Sequence, residues 1–113
     1  MENDELYRAH IIEAIERIER FTVGMDYEHF RDDDKTIAAV VRQFEIIGEA
    51  VKSLSIEFTR RYPSIPWQSI AGMRDKLIHA YEAVDYDEVW STATKDIPEL
   101  LEWVTPLLPE KPV

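Results

Sequence analysis

The chain has 113 residues, three glycines, no cysteine and a formal net charge of −10. That length suits one domain, residues 1–113, with a core of its own. The absence of cysteine excludes disulfides and thiolate metal sites, and the net charge has the wrong sign for a general nucleic-acid binder.

The charge is not spread evenly. Residues 1–34 carry net −7, residues 35–81 net +3 and residues 82–113 net −6. Positive charge is therefore concentrated in the middle of the chain. The opening MENDELYRAH is acidic and lacks an apolar signal-peptide core, and no apolar run reaches the length of a membrane span. A cytoplasmic protein is the expectation.

Asp4–Val23 reads as an amphipathic helix, with Leu6, Ala9, Ile12 (or His10), Ile15 (or Ala14), Ile18 and Phe21 (or Thr22) at three- and four-residue spacing. Gly24 is its expected stop. Met25–Arg31 follows as a connector with room for a short helical turn. Asp32, Asp33 and Asp34 fit a helix N-cap and an acidic first turn better than a metal site. Lys35–Leu54 is the most apolar helix, with Ile37, Val40 (or Val41), Phe44, Ile47 (or Ile46), Ala50 and Val51 forming a broad stripe. Gly48 in mid-helix costs about 1 kcal/mol against alanine, which suits a close helix–helix contact.

Ser55 is expected to cap a short helix, Ile56–Tyr62, which Pro63 and Pro66 then end. Helix returns over Trp67–Tyr81, with Ile70, Met73 (or Arg74), Leu77 and Ile78 on its apolar side. Asp85 is an N-cap for Tyr86–Thr94, and Pro98 opens a last helix, Glu99–Leu108. The sum is an all-α antiparallel bundle of four to five helices. Trp67, Trp90 and Trp103 fall at apolar helical positions and read as core or dimer interface rather than base-stacking platforms.

The stretch RDKLIHAY, residues 74–81, crowds ionisable groups into a helix that otherwise packs. At about 100° per residue, Arg74 and His79 point roughly 140° apart, whereas Arg74 and Tyr81 share a face. A site using all three is easier to build at a helix end or across an interface with a second copy. A lone histidine at a helix end is more often a cap or a packed side chain than a catalytic group.

The text around it adds to this. IGEAVKSLS (47–55), YPSIPWQSIAGMRDKLIHAY (62–81), VDYDEVW (84–90) and DIPEL (96–100) resemble the HepT-like branch of the HEPN superfamily. The resemblance implies a HEPN-type bundle acting as the toxin of a two-gene toxin–antitoxin module. It also implies a homodimer whose Arg–His motifs meet at the interface and cleave RNA without a metal or other cofactor. Arg74 and His79 would be the catalytic residues, and Asp75 would support them or be a plain solvated charge. The expected partner is an MNT-type nucleotidyltransferase antitoxin, with Tyr81 as the acceptor of AMP.

The residues support this reading in their own terms. Cleavage through the RNA 2′-hydroxyl needs a base, an acid and positive charge on the phosphate. Histidine, with an ordinary pKa of about 6.5, serves as either acid or base, and arginine offers a permanently charged fork. One motif histidine per chain means that two such groups require two chains. Lys76, Arg42, Lys52, Arg60 and Arg61 are candidates for the RNA-backbone path, though solvated helix faces carry such residues routinely. The competing reading is a non-catalytic module that binds a nucleotide or presents a substrate to the nucleotidyltransferase.

Overall fold

A computed structural model of the protein describes residues 3–73 and 85–107. Among these residues the secondary structure is entirely helical, as the sequence pattern implies. Helix α1 spans Asp4–Thr22 and ends at Gly24, whose φ of 78° is a left-handed value that glycine adopts without strain. A short α2, Tyr27–Arg31, is capped by Asp26, whose side chain accepts from the His29 backbone N–H at 2.9 Å. Helix α3 spans Asp34–Ser53. The acidic run opens it as a cap, with Asp33 accepting from the Thr36 N–H at 3.0 Å.

Helix α3 is the central packing element. Ile37, Val40, Phe44, Ile47, Ala50 and Val51 are all buried, as their spacing predicts. They meet Ile11, Ala14, Ile15 and Ile18 of α1 in one continuous core. Full burial of each large apolar side chain contributes roughly 1.5–3 kcal/mol. The two helices run antiparallel, since Asp4 near the start of α1 reaches Ser55 just past the end of α3. Its carboxylate accepts from the Ser55 N–H and hydroxyl, both at 2.7 Å.

That bond corrects the expected face of α1. Leu6 is 50% exposed and Ala9 is exposed, whereas Asp4, Arg8 and Ile11 are buried. Hydropathy ranks Leu6 above Asp4 and Arg8, but the tie to Ser55 turns the polar pair inward. Arg8 is only 3% exposed, and its Nε and Nη1 have no hydrogen-bond partner. Burial pushes its guanidinium below the usual arginine range, against the pull of Glu5 and Tyr62.

Ser55 also caps α4, Ile56–Arg61, by accepting from the Phe58 N–H at 3.1 Å. Helix α5, Trp67–Ala71, then lies across α3 at Gly48. A Cβ built on Gly48 would sit 3.0 Å from the Ala71 carbonyl oxygen, so the glycine permits this crossing.

After residue 84 the chain makes α6, Tyr86–Ser91, a π-helical turn over Thr92–Asp96, and α7, Ile97–Val104. These three join into one helical rod, because Thr92, Asp96 and Ile97 all have right-handed helical backbone angles. The expected break between two helices at Pro98 is therefore not present. Proline removes one backbone donor and its ring crowds the carbonyl four residues back. The wider π turn before it accommodates both effects. It also corrects the phase of the buried face. Val89, Ala93 and Ile97 follow at four-residue spacing, which overshoots the 3.6-residue α turn, and a wider turn absorbs the overshoot. The rod packs on α1 through α7 and on α2 through α6, with the Phe30 and Trp90 rings 5.0 Å apart.

Two stability measurements follow from this packing. Gly48→Val forces α5 away from α3 and lowers the unfolding free energy by about 1–3 kcal/mol, a typical overpacking cost; an unchanged urea midpoint would contradict the close approach. Arg8→Met keeps the apolar stem and removes the unsatisfied buried donors. It raises the unfolding free energy by about 1–3 kcal/mol; a loss would mean that the guanidinium has a stabilising partner.

Candidate functional site

Arg74, Asp75, Lys76, His79 and Tyr81 lie outside the described residues, so the structure gives the frame on either side of them. On the entry side, the link from α4 to α5 is held by stacked rings. Phe58 and Tyr62 meet edge to face at 5.3 Å, and Trp67 lies 6.1 Å from Phe58. The Trp67 indole N–H donates to the Tyr62 carbonyl at 3.1 Å, and its backbone N–H donates to Ile65 at 2.8 Å. The two prolines set the extended link, the rings fix its end, and Gly48 seats α5 on α3. The Gly72 N–H, two residues before Arg74, donates to the Gln68 carbonyl at 3.0 Å. On the exit side, Asp85 caps α6 by accepting from the Glu88 N–H at 3.0 Å. The Asp87 carboxylate raises the Tyr27 pKa, and the Tyr27 and Trp90 rings lie 6.5 Å apart, which places α6 against α2. Packed elements thus precede and follow residues 74–84 in the chain.

The four described basic candidates are all exposed. Arg60 and Arg61 sit together in the last turn of α4, at its negative dipole end. Arg42 and Lys52 lie ten residues apart on α3, about 15 Å along its axis. Arg42 is engaged by Glu45 at 3.2 Å and borders a shallow pocket of about 210 Å³ with Tyr7, His10 and Ser53. No described contact gathers the four into one patch. Trp67 and Trp90 are half-buried and pack on the core, as expected of them.

A larger groove was not visible in the sequence. It holds about 460 Å³ between α5 and the π turn with α7. Buried Ile70, Ile97 and Leu100 line its depth, and half-buried Met73 and Trp103 line its sides. Gln68, Ser69, Asp96 and Glu99 are exposed on its rim. Those four residues come from two elements that are distant in the chain, and no spacing rule connects them. Among the described residues, no group of three or more His, Asp or Glu could hold a metal ion. None of the described helices is long and apolar enough to cross a membrane.

These features define the class first: an α-helical bundle whose sequence carries a short Arg–His–Tyr segment between α5 and α6. Residues 11–107 match the family model described as Ribonuclease HepT-like, and the chain belongs to that family. It is 52% identical over 94 residues to a Thermococcus cleftensis protein named "Probable ribonuclease HepT", covering 83% of this chain and 86% of that one. It is 44% identical over 108 residues to a protein of Caldanaerobacter subterraneus subsp. tengcongensis provisionally named an RNase, covering 96% of each. A Methanocaldococcus jannaschii protein, also provisionally named an RNase, is 49% identical over 90 residues, or 80% of this chain and 74% of that one. No solved structure matches the chain significantly.

The histidines outside the motif have local explanations. His10 stands edge-on to Tyr7 at 6.1 Å. His29 is exposed, with its Nδ1 2.7 Å from Asp26. This hydrogen bond holds the imidazole above its ordinary value of 6.5. Hydrogen bonds from the His29 backbone and side chain hold the Asp26 carboxyl below 3.8. The histidine's contribution to stability is complete below 6.5 and fades as pH rises through its raised folded value. The aspartate's is present above 3.8 and fades as pH falls through its lowered one. An NMR titration is expected to place the His29 midpoint above 6.5 and Asp26→Asn to return it toward 6.5; identical midpoints in the two proteins would refute the pair.

Proposed function

We propose that the protein is a metal-independent endoribonuclease, the toxin of a HEPN–MNT toxin–antitoxin module. The observation that carries this reading is the motif Arg74, four residues, His79, one residue, Tyr81, which falls inside the matched residues 11–107. The names of the relatives, which give them as ribonucleases, support the same reaction class.

The chemistry uses two chains. One His79 takes the proton of the RNA 2′-hydroxyl as that oxygen attacks the adjacent phosphorus. The P–O2′ bond forms and the P–O5′ bond breaks. His79 of a second copy gives a proton to the departing O5′. The products are a 2′,3′-cyclic phosphate and a 5′-hydroxyl. Arg74 lies over the phosphate and stabilises the extra negative charge of the phosphorane. Asp75 orients this pair. The balance of protons closes without a metal, provided that the two histidines carry opposite protonation states near neutrality. Lys76, Arg42, Lys52, Arg60 and Arg61 contribute non-specific backbone contacts.

Tyr81 is the control point in this reading. An MNT-type nucleotidyltransferase transfers AMP to its hydroxyl, which places bulk and a phosphate beside Arg74 and His79. The modification excludes RNA by occupying the anion site and by charge repulsion.

The test is RNA cleavage by the purified protein in chelator, with the intact mass measured alongside. Wild type is expected to leave cyclic-phosphate ends, and His79→Ala and Arg74→Ala to lose at least about 100-fold in rate, as removal of an acid–base or charge-stabilising group does. An unmodified dimer that cleaves nothing across a broad RNA panel would leave the non-catalytic binding module instead. Silence together with an added AMP mass would show a protein already neutralised, to be mapped first at Tyr81.

A further inference from the structure

We propose that the groove between α5 and α7 is a base-recognition pocket that takes one unpaired RNA base, with guanine the best fit. The proposal rests on the ribonuclease reading and adds what selects the RNA.

The groove's chemistry chooses a base over a phosphate. Its volume of about 460 Å³ lies within the range of small-ligand pockets, roughly 300–1,000 Å³. Among the described residues the lining includes two carboxylates, Asp96 and Glu99, and no lysine or arginine. A phosphate is repelled there, whereas a ring edge carrying N–H groups is attracted. Neither carboxylate is engaged by a hydrogen bond or ion pair among the described residues, so both remain able to accept. Trp103, whose spacing reads as core or interface, packs on the core yet also lines the groove; it offers an aromatic wall, and Ile97 and Leu100 offer an apolar floor to a flat ring. Single-stranded RNA is read in this manner, by stacking an unpaired base on an aromatic side chain and hydrogen-bonding its edge.

The donor pattern selects among the bases. Guanine places N1–H and N2–H side by side, a pair that one carboxylate accepts in a bidentate way. Its O6 lies next to them and needs a donor, which the Gln68 amide or the Ser69 hydroxyl supplies from the opposite rim. Adenine and cytosine offer an amino group without that adjacent N–H, and uracil offers a single N–H flanked by two acceptors that the carboxylates repel. The π turn ends at Asp96, so the helical irregularity and one of the two acceptors lie at the same place. The groove also reaches Met73, the residue before Arg74 in the sequence, so the pocket and the motif adjoin along the chain.

The experiment uses the full-length protein and 2′-O-methyl oligonucleotides, which bind but cannot be cut. UUGUU, UUAUU, UUCUU and UUUUU are titrated while tryptophan fluorescence is followed. The guanine-containing oligomer is expected to bind roughly tenfold tighter than the others, the size of one good bidentate contact. Asp96→Asn and Glu99→Gln, both at exposed rim positions, should reduce that preference. Trp103→Phe should keep it at lower affinity. Free guanosine should quench at least as well as its 5′-monophosphate. Equal affinity for all four oligomers, no binding by any, or a preference untouched by both rim variants would overturn the proposal. Cleavage of ordinary RNA is measured separately. Guanine preference without cleavage by an unmodified dimer would sink the ribonuclease reading and keep the pocket, and cleavage without preference would do the reverse.

Discussion

The antiparallel pairing of α1 with α3 is the constraint on which the rest of the molecule depends. Ile11, Ile15 and Ile18 close against Val40, Phe44 and Ile47, and polar contacts fix both ends of the pair. Asp4 binds Ser55 at one end, while Gly24 and the Asp33 cap turn the chain at the other. Ser55 serves two elements, because the hydroxyl that donates to Asp4 also accepts from the α4 backbone. The position of α4 is therefore tied to the start of α1. Helix α5 inherits its place from that chain of contacts and from the gap at Gly48.

This arrangement sets what flanks residues 74–84 in the chain. The motif begins immediately after Met73, and α5 packs so closely on α3 that a Cβ at Gly48 would lie 3.0 Å from the Ala71 carbonyl oxygen. On the far side, α6 is held by its own cap and by ring contacts to α2. The proposed ribonuclease chemistry, which needs an imidazole and a guanidinium placed closely, would benefit from such flanks, since misplacement by an ångström costs orders of magnitude in rate. The acidic charge of both terminal thirds lowers general affinity for polyanions, so the proposed association with RNA would depend on a few oriented contacts rather than on net charge.

Much of the architecture was legible in the sequence because its determinants are local. The α3 stripe, the caps Asp33, Ser55 and Asp85 and the stop at Gly24 each follow from side-chain type and spacing. Gly48 was legible as a close contact, though its partner, Ala71, was not. The errors came where tertiary contacts outweigh hydropathy. Leu6 faces water and Arg8 faces inward because Asp4 is drawn to a serine 51 positions away in the chain. Pro98 sits inside a continuous rod because a π turn makes room for it. The motif Arg74–His79–Tyr81 was legible as text, since it is contiguous. The groove was not, because Gln68 and Ser69 meet Asp96 and Glu99 only after the bundle has formed.

The π turn also bears on how this sequence can change over time. An extra residue wound into one turn shifts everything after it by a fixed angle relative to everything before it. Val89 and Ala93 on one side, and Ile97, Leu100 and Val104 on the other, face the same core only with that offset in place. Substitutions within Thr92–Asp96 leave the offset intact, whereas losing one residue would swing the second half of the rod by about 100° and point its apolar face away from the core. Along this stretch, a deletion is therefore expected to cost more stability than a substitution.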